Sequence, residues 1–120
     1  MSECLFCQIV AGATPSTGVL ETEHCYAFRD INPAAPVHVL VVPKAHCDSL
    51  AAVGPDDGEL LTQLVATVNQ VAQLEGIAES GYRVITNVGE DAGQAVPHLH
   101  FHVVGGRPLH WPPKGSQAGE

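Results

Sequence analysis

Positive charge is scarce in this sequence. Its 120 residues include five Lys and Arg against 13 Asp and Glu, which gives a formal net charge of −8 at pH 7 with neutral histidines. Proteins that bind nucleic acid usually carry a basic face that contacts the phosphates, so we expect no nucleic-acid partner. A single small phosphate is not excluded, because backbone amides and local histidines can hold it without net positive charge.

Long apolar runs are also missing. The longest, Val37 to Pro43, is interrupted by His38, whereas a helix that spans a bilayer needs about 20 apolar residues. Residues Met1 to Val10 contain no Lys or Arg and no long apolar stretch, so they do not resemble a secretory signal. We therefore expect no membrane span, a cytoplasmic location, and reduced thiols at the four cysteines rather than disulfides.

The spacing of apolar residues predicts a single α+β domain with a largely antiparallel sheet. Apolar positions recur at helical spacing from about Asp56 to Glu75, with Asp56 and Glu59 as a capping box and Gly76 as the C-terminal cap. A short apolar segment, Cys4 to Val10, precedes the first turn. Segments rich in β-branched or aromatic residues predict strands at Val19 to Glu21, Cys25 to Arg29, Val37 to Val42, Tyr82 to Asn87 and about His98 to Val104.

Three of the seven histidines alternate with apolar residues in the run His98-Leu99-His100-Phe101-His102. Alternate side chains of a strand share a face, so we expect the imidazoles on one face and the apolar side chains in the core. The outer two would then lie about 13 Å apart, too far to share one ion at metal–nitrogen distances of about 2 Å. A neutral imidazole attacks phosphorus well and leaves readily, so nucleophilic catalysis is favoured over a surface accident.

The loop before this run has features suited to a phosphate. Gly89 and Gly93 permit tight turns that bring backbone N–H groups close to a ligand. Asn87 ends the preceding predicted strand and can donate from its side-chain amide. Beside three aligned histidines, this loop indicates a phosphate site.

The pair Cys4-Leu5-Phe6-Cys7 has three interpretations. A thioredoxin-like redox pair would need a preceding strand, and only three residues come before Cys4. The other two are a pair of inert buried thiols and half of a structural zinc site. We favour zinc, although such a site usually needs four ligands.

The segment Asn87 to Gly106, with the pattern His-φ-His-φ-His-φ-φ in which φ is apolar, resembles the signature of the histidine triad (HIT) family. It is most similar to the histidine triad nucleotide-binding proteins, in particular the bacterial zinc-containing type. Further stretches match in order: Ala27 to Pro33, Ala35 to His38, Val42 to His46 and Arg107 to Pro113. The resemblance implies a HIT-like fold, a mainly antiparallel five-stranded sheet with one long and one short helix. It places the HIT domain at residues 1–113 and a disordered tail at 114–120, in a homodimer with Trp111 near the partner subunit.

The resemblance also implies a reaction. His100 would attack the α-phosphorus of a purine nucleoside 5′-phosphoramidate or a related adenylate, and water would hydrolyse the nucleotidyl-histidine, with His38 and His102 completing the catalytic set. The nucleotide, a purine nucleoside monophosphate or phosphoramidate, would contact an apolar base slot, a ribose site and a phosphate site. These are, in that order, Phe6, Ile9 and Phe28; Asp30 and Ile31; and Asn87, Gly93, Gln94, Ala95, His100 and His102.

For the cysteine pair, the resemblance implies that Cys4, Cys7, His46 and His98 bind a structural zinc ion. His98 would then face the metal, while His100 and His102 face the substrate. Cys25 and Cys47 are interpreted as buried or partly buried thiols, with Cys47 a competing ligand because it adjoins His46. His24 and His110 are expected at the surface or an interface.

Ala95 departs from the family pattern, because the nucleotide-binding branch usually carries serine there. The missing hydroxyl implies slower turnover, by about 2–4 kcal/mol of transition-state stabilisation if it resembles a lost oxyanion-hole donor. Two alternatives therefore stay open beside the phosphoramidase: a dinucleoside polyphosphate hydrolase, and a nucleotide-binding regulatory protein with little turnover.

Overall fold

The computed structural model describes residues 3–112, so the predicted tail at 114–120 lies outside the described residues. In chain order the elements are α1 (Leu5–Val10), β1 (Gly18–Glu21), β2 (Cys25–Arg29), β3 (Val37–Pro43), α2 (Gly58–Leu74), β4 (Tyr82–Ile85) and β5 (Phe101–Gly105). Short 3₁₀ turns lie at Leu50–Ala52 and Glu90–Ala92. Among residues 3–112, no helix is long and apolar enough to cross a membrane.

The strands form one sheet in the order β1-β2-β3-β5-β4. Every neighbouring pair is antiparallel, which confirms the predicted fold class, with one long and one short helix beside the sheet. In the pairing of β3 with β5, His38 lies opposite Val104 and Leu40 lies opposite His102. Because side chains alternate along a strand, this register brings His38 and His102 to the same face of the sheet.

The two faces of the sheet are covered by different helices. Helix α2 packs on one face, over a core that includes Val39, Val41, Leu64, Leu99 and Val103. The short helix α1 packs on the other face, over Phe6, Ile9, Phe28, Leu40 and Val42. The central strand β3 is therefore buried on both sides, which explains its almost unbroken apolar sequence.

Helix α2 is shorter than predicted, since it begins at Gly58 and ends at Leu74. The predicted capping box is wrong: Asp57 occupies the N-cap position, and no side chain caps the helix there. The Asp57 carboxylate instead accepts a hydrogen bond from the Gly54 N–H at 2.7 Å. The C-terminal cap is confirmed at Gly76, which has φ 75° and donates its N–H to Gln73, as in a Schellman motif.

Strand boundaries around the histidine run also differ from the prediction. Strand β4 ends at Ile85 rather than Asn87, and β5 begins at Phe101 rather than His98. The late start of β5 follows from a non-local hydrogen bond. The Leu99 N–H donates to the Cys47 carbonyl at 2.6 Å instead of to a strand neighbour. His98 and His100 thus precede the strand. The prediction that Leu99, Phe101 and Val103 contact the core is confirmed.

Candidate active site and metal centre

His100 is nearly buried, with 6% of its surface exposed. Its Nδ1 lies 2.7 Å from the carbonyl oxygen of His98. A carbonyl only accepts hydrogen bonds, so Nδ1 carries the proton of the neutral ring and Nε2 carries the lone pair. Burial lowers the pKa of His100, which keeps the ring neutral near pH 7. The site therefore holds an imidazole with a nucleophilic nitrogen of defined identity.

His38 and His102 form a directed hydrogen-bonded pair. The Ala34 N–H donates to Nδ1 of His38 at 3.0 Å, so the His38 proton resides on Nε2. That nitrogen lies 2.9 Å from Nδ1 of His102 and 3.4 Å from a carboxylate oxygen of Asp30. His102 therefore accepts at Nδ1 and carries its own proton on Nε2.

Both members of this pair are neutral at physiological pH. Burial, with the positive charge that His100 and His38 can carry, lowers the pKa of His102 to about 4. Burial also lowers the pKa of His38, although the Asp30 carboxylate opposes that shift. The ring of His102 lies 5.1 Å from that of His100, centroid to centroid. An N–H donor on His102 thus neighbours the lone pair on His100.

The aromatic residues predicted for the base slot lie together on the α1 face of the sheet. Phe6 contacts Phe28 edge-on at a centroid distance of 5.5 Å, and Ile9 belongs to the same buried cluster. The next two predicted residues follow strand β2. Asp30 accepts the Asn32 N–H at 2.8 Å, and Ile31 is 90% exposed.

Tyr26 belongs to this aromatic group but was not predicted. Its ring stacks on Phe28 at 5.6 Å, and its hydroxyl hydrogen-bonds that of Ser16 at 2.8 Å. A Cβ at Gly18 would approach the Tyr26 hydroxyl to 2.7 Å, so a larger residue there would displace the Tyr26 ring. The alternation of β2, which places Tyr26 and Phe28 on one face, was the signal available in the sequence.

In the predicted phosphate loop, polar side chains bond to the loop itself. Asn87 donates to the Ala92 carbonyl at 2.8 Å. Gln94 accepts the Gly89 N–H at 2.9 Å and donates to the Asp48 carbonyl at 2.7 Å. Gly93 has φ 79°, and Ala95 is exposed. Asn87 and Gln94 therefore fix the shape of the loop.

A second cluster contains Cys4, Cys7, His46 and His98, whose ligand atoms all lie within 4.8 Å of one another. The Cys4 sulfur lies 3.3 Å from Nδ1 of His98, and the Cys7 sulfur lies 3.3 Å from Nδ1 of His46. Tetrahedral zinc would separate sulfur and nitrogen ligands by about 3.6 Å. These four residues are therefore close enough to hold a metal ion.

The hydrogen bonds of the two histidines also suit a metal. Nε2 of His46 lies 2.8 Å from the Asp48 carboxylate, and Nε2 of His98 lies 2.9 Å from the Pro43 carbonyl. Both partners only accept, so each Nε2 is protonated and each Nδ1 offers a lone pair to the cluster. Ligand histidines commonly have such an orienting acceptor. The donor set thus fits a metal ion in composition, spacing and tautomer.

The ligand atoms of Asp30, His38 and His102 also lie within 4.8 Å of one another, but their hydrogen bonds differ from those of the cysteine–histidine cluster. The Ala34 N–H occupies Nδ1 of His38, so the proton sits on Nε2, between His38 and His102. A neutral His38 has no lone pair to offer a metal at that nitrogen. This trio fits proton transfer better than metal binding.

The remaining histidines and thiols lie elsewhere. The Cys47 thiol donates to the Ser49 carbonyl at 3.5 Å, which does not fit the competing role as a metal ligand, and Cys25 is buried in the α2-side core. His24 and His110 are exposed. Trp111 is exposed, with the Arg83 guanidinium 5.5 Å from its ring centroid.

Comparisons with known proteins place the chain in a family. The family model of the HIT domain matches residues 11–109. A HIT-like protein from Synechocystis sp. is 42% identical over 111 residues, which cover 92% of this chain and 96% of that protein.

Solved structures agree. The crystal structure of a HIT family hydrolase from Legionella pneumophila Philadelphia 1 has a TM-score of 0.90 and 46% identity, and the match covers 92% of this chain and 99% of that one. A histidine triad nucleotide-binding protein from Candida albicans has a TM-score of 0.78 and 34% identity, with 96% and 87% covered. This chain belongs to the HIT domain family.

Proposed function

We propose that this protein is a nucleotide-binding hydrolase that cleaves purine nucleoside 5′-phosphoramidates or related adenylates at the α-phosphorus. The observation that carries the proposal is the 2.7 Å contact between Nδ1 of His100 and the His98 carbonyl, which leaves the lone pair on Nε2. Two structural neighbours support it, since one is described as a HIT family hydrolase and the other as a histidine triad nucleotide-binding protein.

In the first step, Nε2 of His100 forms a bond to phosphorus as the bond from phosphorus to the leaving amine breaks. The amine takes up a proton. That proton comes from solvent, since a proton lost from the neutral pair would leave a negative charge beside the Asp30 carboxylate. His102, which accepts from His38 at 2.9 Å, keeps its Nε2 proton and donates a hydrogen bond to a phosphoryl oxygen. The exposed Ala95 offers no hydroxyl to assist departure, so this step is slow.

In the second step, water attacks phosphorus and the bond to Nε2 breaks. The proton of that water passes to solvent, so the two steps together consume no net proton and both histidines end in their starting state. The Nε2–H of His102 and the backbone N–H of Ala95 would donate to the phosphoryl oxygens and stabilise the charge in both transition states, while the N–H groups of Gly93 and Gln94 hold the loop through the Glu90 and Gly89 carbonyls. The products are the nucleoside monophosphate and the amine.

The nucleotide lies across the α1 face of the sheet. In this proposal its base packs among Phe6, Ile9 and Phe28, which the structure places in one apolar cluster. The ribose hydroxyls donate to the Asp30 carboxylate beside Ile31. Because the base slot is apolar, it does not by itself select adenine over guanine.

We also propose that the metal of the second cluster is zinc, because two thiolates and two imidazoles are a donor set that favours this ion. Bound zinc would tether α1 to the segments that carry His46 and His98. In this proposal, no bond of the reaction is made or broken at the metal.

A homodimer completes the proposal. Strand β4 is an edge of the sheet, and Val84 on that strand and Val65 on α2 are both exposed. Edge strands with apolar neighbours are typical sites of pairing between chains. Trp111, which is also exposed, would lie near the partner subunit. Light scattering at graded concentrations measures the assembly directly.

To test the mechanism, the protein is mixed with adenosine 5′-phosphoramidate, the reaction is quenched rapidly without acid, and the intact protein is analysed by mass spectrometry. We expect an adduct of one adenylyl group, with peptide mapping to His100. The variant His100→Asn keeps a donor near the Nδ1 position but has no Nε2, so it should form no adduct. His24→Ala, which changes an exposed histidine outside both clusters, is the matched control.

A different outcome would favour the second candidate function. If the protein binds the nucleotide tightly yet forms neither adduct nor product, it is a nucleotide-binding regulatory protein with little turnover. The absence of a hydroxyl at Ala95 is the observation that favours this alternative. Faster turnover of a dinucleoside polyphosphate than of the phosphoramidate would instead identify the other hydrolase.

A further inference from the structure

We propose that the cluster of Cys4, Cys7, His46 and His98, when it holds its metal, positions the nucleophile and the phosphate loop, so that metal loading sets the turnover rate. This inference rests on the proposed function and concerns the regulation of the same site. Three separate contacts lead from the cluster to the catalytic residues.

The first contact runs through the backbone of His98. The side chain of His98 offers Nδ1 to the cluster, while Nε2 lies 2.9 Å from the Pro43 carbonyl. Its own carbonyl accepts the Nδ1 proton of His100 at 2.7 Å. The side chain of His98 would therefore bind the metal, while its main-chain carbonyl orients the ring of His100. If the ring of His98 moves, the partner that fixes the His100 tautomer moves with it.

The second contact is Phe6, which lies between Cys4 and Cys7 in sequence. Its ring meets the ring of His100 edge-on at a centroid distance of 5.0 Å and the ring of His98 at 5.9 Å. Phe6 is buried, so these contacts restrict His100 on the α1 side. A metal bound to both cysteines would fix the first turn of α1, which carries Phe6.

The third contact reaches the phosphate loop through Asp48. The Asp48 carboxylate lies 2.8 Å from Nε2 of His46, so it orients a ligand. Its main-chain carbonyl accepts the Gln94 side-chain amide at 2.7 Å, and Gln94 in turn accepts the Gly89 N–H at 2.9 Å. The loop that would hold the phosphate is therefore anchored on a residue that orients a metal ligand.

A bound ion would stiffen the cluster further. The contacts between its cysteines and histidines include sulfur–imidazole pairs at 3.3 to 3.5 Å, and sulfur makes weak hydrogen bonds. The side chain of His46 is 41% exposed, so solvent competes for it. A single ion would replace these weak contacts with four coordinate bonds and would join helix α1 to the residues before strand β5.

The test compares zinc-loaded and chelator-stripped protein by nitrogen-15 NMR of labelled histidines and by steady-state kinetics. In loaded protein we expect His100 to be a single Nδ1–H tautomer. On stripping, that signal should broaden or split, and kcat should fall about 10–100-fold, the usual effect of losing an outer-shell interaction, while KM changes less. Adding zinc back should restore both.

Two variants separate positioning from general destabilisation. Val71→Ala removes buried side-chain volume under α2, in the other core, and should lower thermal stability without changing the His100 tautomer. Phe6→Leu keeps all four ligands, and should lower kcat and loosen the His100 signal without loss of zinc. If chelator-stripped protein unfolds, the NMR and kinetic measurements on Phe6→Leu replace those on the stripped protein.

An unchanged His100 tautomer and kcat in stripped protein, or in Phe6→Leu if stripped protein unfolds, would overturn this inference. The mass-spectrometric adduct on His100 would still stand in that case, so the proposed function would survive. If loaded protein forms no adduct, the proposed function fails, and the NMR comparison still reports whether the metal fixes His100.

Discussion

Two histidine clusters lie side by side in this molecule and differ in where their protons are held. In the metal cluster, the acceptors Asp48 and Pro43 take the Nε2 protons and leave the Nδ1 lone pairs facing two cysteines. In the catalytic cluster, the Ala34 N–H occupies Nδ1 of His38 and places a proton between the rings. The groups that hydrogen-bond to each imidazole therefore decide which of its nitrogens carries the proton.

The comparison is closest between His98 and His100, which are two residues apart. Each ring has one main-chain acceptor, but the nitrogen that donates differs: Nε2 for His98 and Nδ1 for His100. The remaining lone pair is therefore on Nδ1 toward the cysteines in one ring and on Nε2 in the other. Exchange of His100 should accordingly spare the metal ligands, whereas exchange of His98 should remove a ligand and affect His100 only by loosening its position.

The largest expected effect is on the rate. His100→Asn should lower kcat by about 10⁴-fold or more, as expected when a nucleophile is removed, while the zinc content of the purified protein stays unchanged. His98→Asn should instead lose zinc, with the smaller fall in kcat expected of chelator-stripped protein. Metal analysis beside single-turnover kinetics checks both. Zinc lost from the first variant and kept by the second would break the comparison.

The next largest effect is on stability. Cys4→Ser and Cys7→Ser should each lower zinc content and thermal stability more than they lower nucleotide affinity, because a metal that binds only the folded state stabilises it. At a zinc concentration about 1,000 times the dissociation constant, that stabilisation is about 4 kcal/mol, or about 10–20 °C in the melting temperature. Calorimetry with and without zinc measures it.

Cys47→Ser is the matched control for those two variants. Its thiol donates to the Ser49 carbonyl, outside the four-ligand cluster, so zinc content should not change. Melting curves that stay the same in both Cys4→Ser and Cys7→Ser would contradict a structural metal.

A smaller effect is expected within the catalytic cluster alone. Ala95→Ser should raise kcat about 30–1,000-fold, the equivalent of about 2–4 kcal/mol, because a hydroxyl near the leaving group can stabilise developing charge, and it should leave zinc content and melting temperature unaltered. Ala95 is exposed, so the larger side chain fits. Ala92→Ser, at another exposed position of the same loop, should have no effect. If both variants have the same kcat, the missing hydroxyl at Ala95 does not limit turnover.

The smallest effect is in the pH dependence of stability. An unfolded histidine has a pKa of about 6.5, and the folded pKa of His102 is about 4. Between these values the unfolded chain binds a proton that the folded chain does not, so the free energy of unfolding should fall as pH decreases from about 6.5 to about 4. Above about 6.5 this histidine should contribute no slope.

His102→Asn isolates that contribution, since the carboxyl groups of the protein also titrate in the lower part of the window. Its side-chain oxygen can still accept from His38, but it does not titrate. Urea unfolding at several pH values, with zinc in excess, should show a shallower acid decline for the variant. A parallel decline would mean that His102 is not held neutral by the fold.

Much of the architecture was predictable because local patterns agree with it. The short apolar runs of β2 and β3 and the helical repeat of α2 each place apolar residues where the structure buries them. The turn at Gly76 follows from glycine at the end of a helix. These signals depend on neighbours in sequence, so a single chain contains them.

The errors came from hydrogen bonds that the sequence patterns do not encode, one between distant segments and one local. The Leu99 N–H bonds to Cys47, so β5 starts later than alternation predicts, and Asp57 bonds back to Gly54, so no capping box forms. The link from Asp48 to Gln94 likewise had no signature in the sequence. The grouping of Cys4, Cys7, His46 and His98 was anticipated through family resemblance and then found in space.

The burial of β3 on both faces has an evolutionary consequence. The strand carries His38 and Leu40 toward one face and Val39 and Val41 toward the other, so a one-residue deletion inside it would exchange the two sets. Such a deletion would place an imidazole under helix α2 and remove the catalytic relay in one event. Length variation should therefore be purged from this strand.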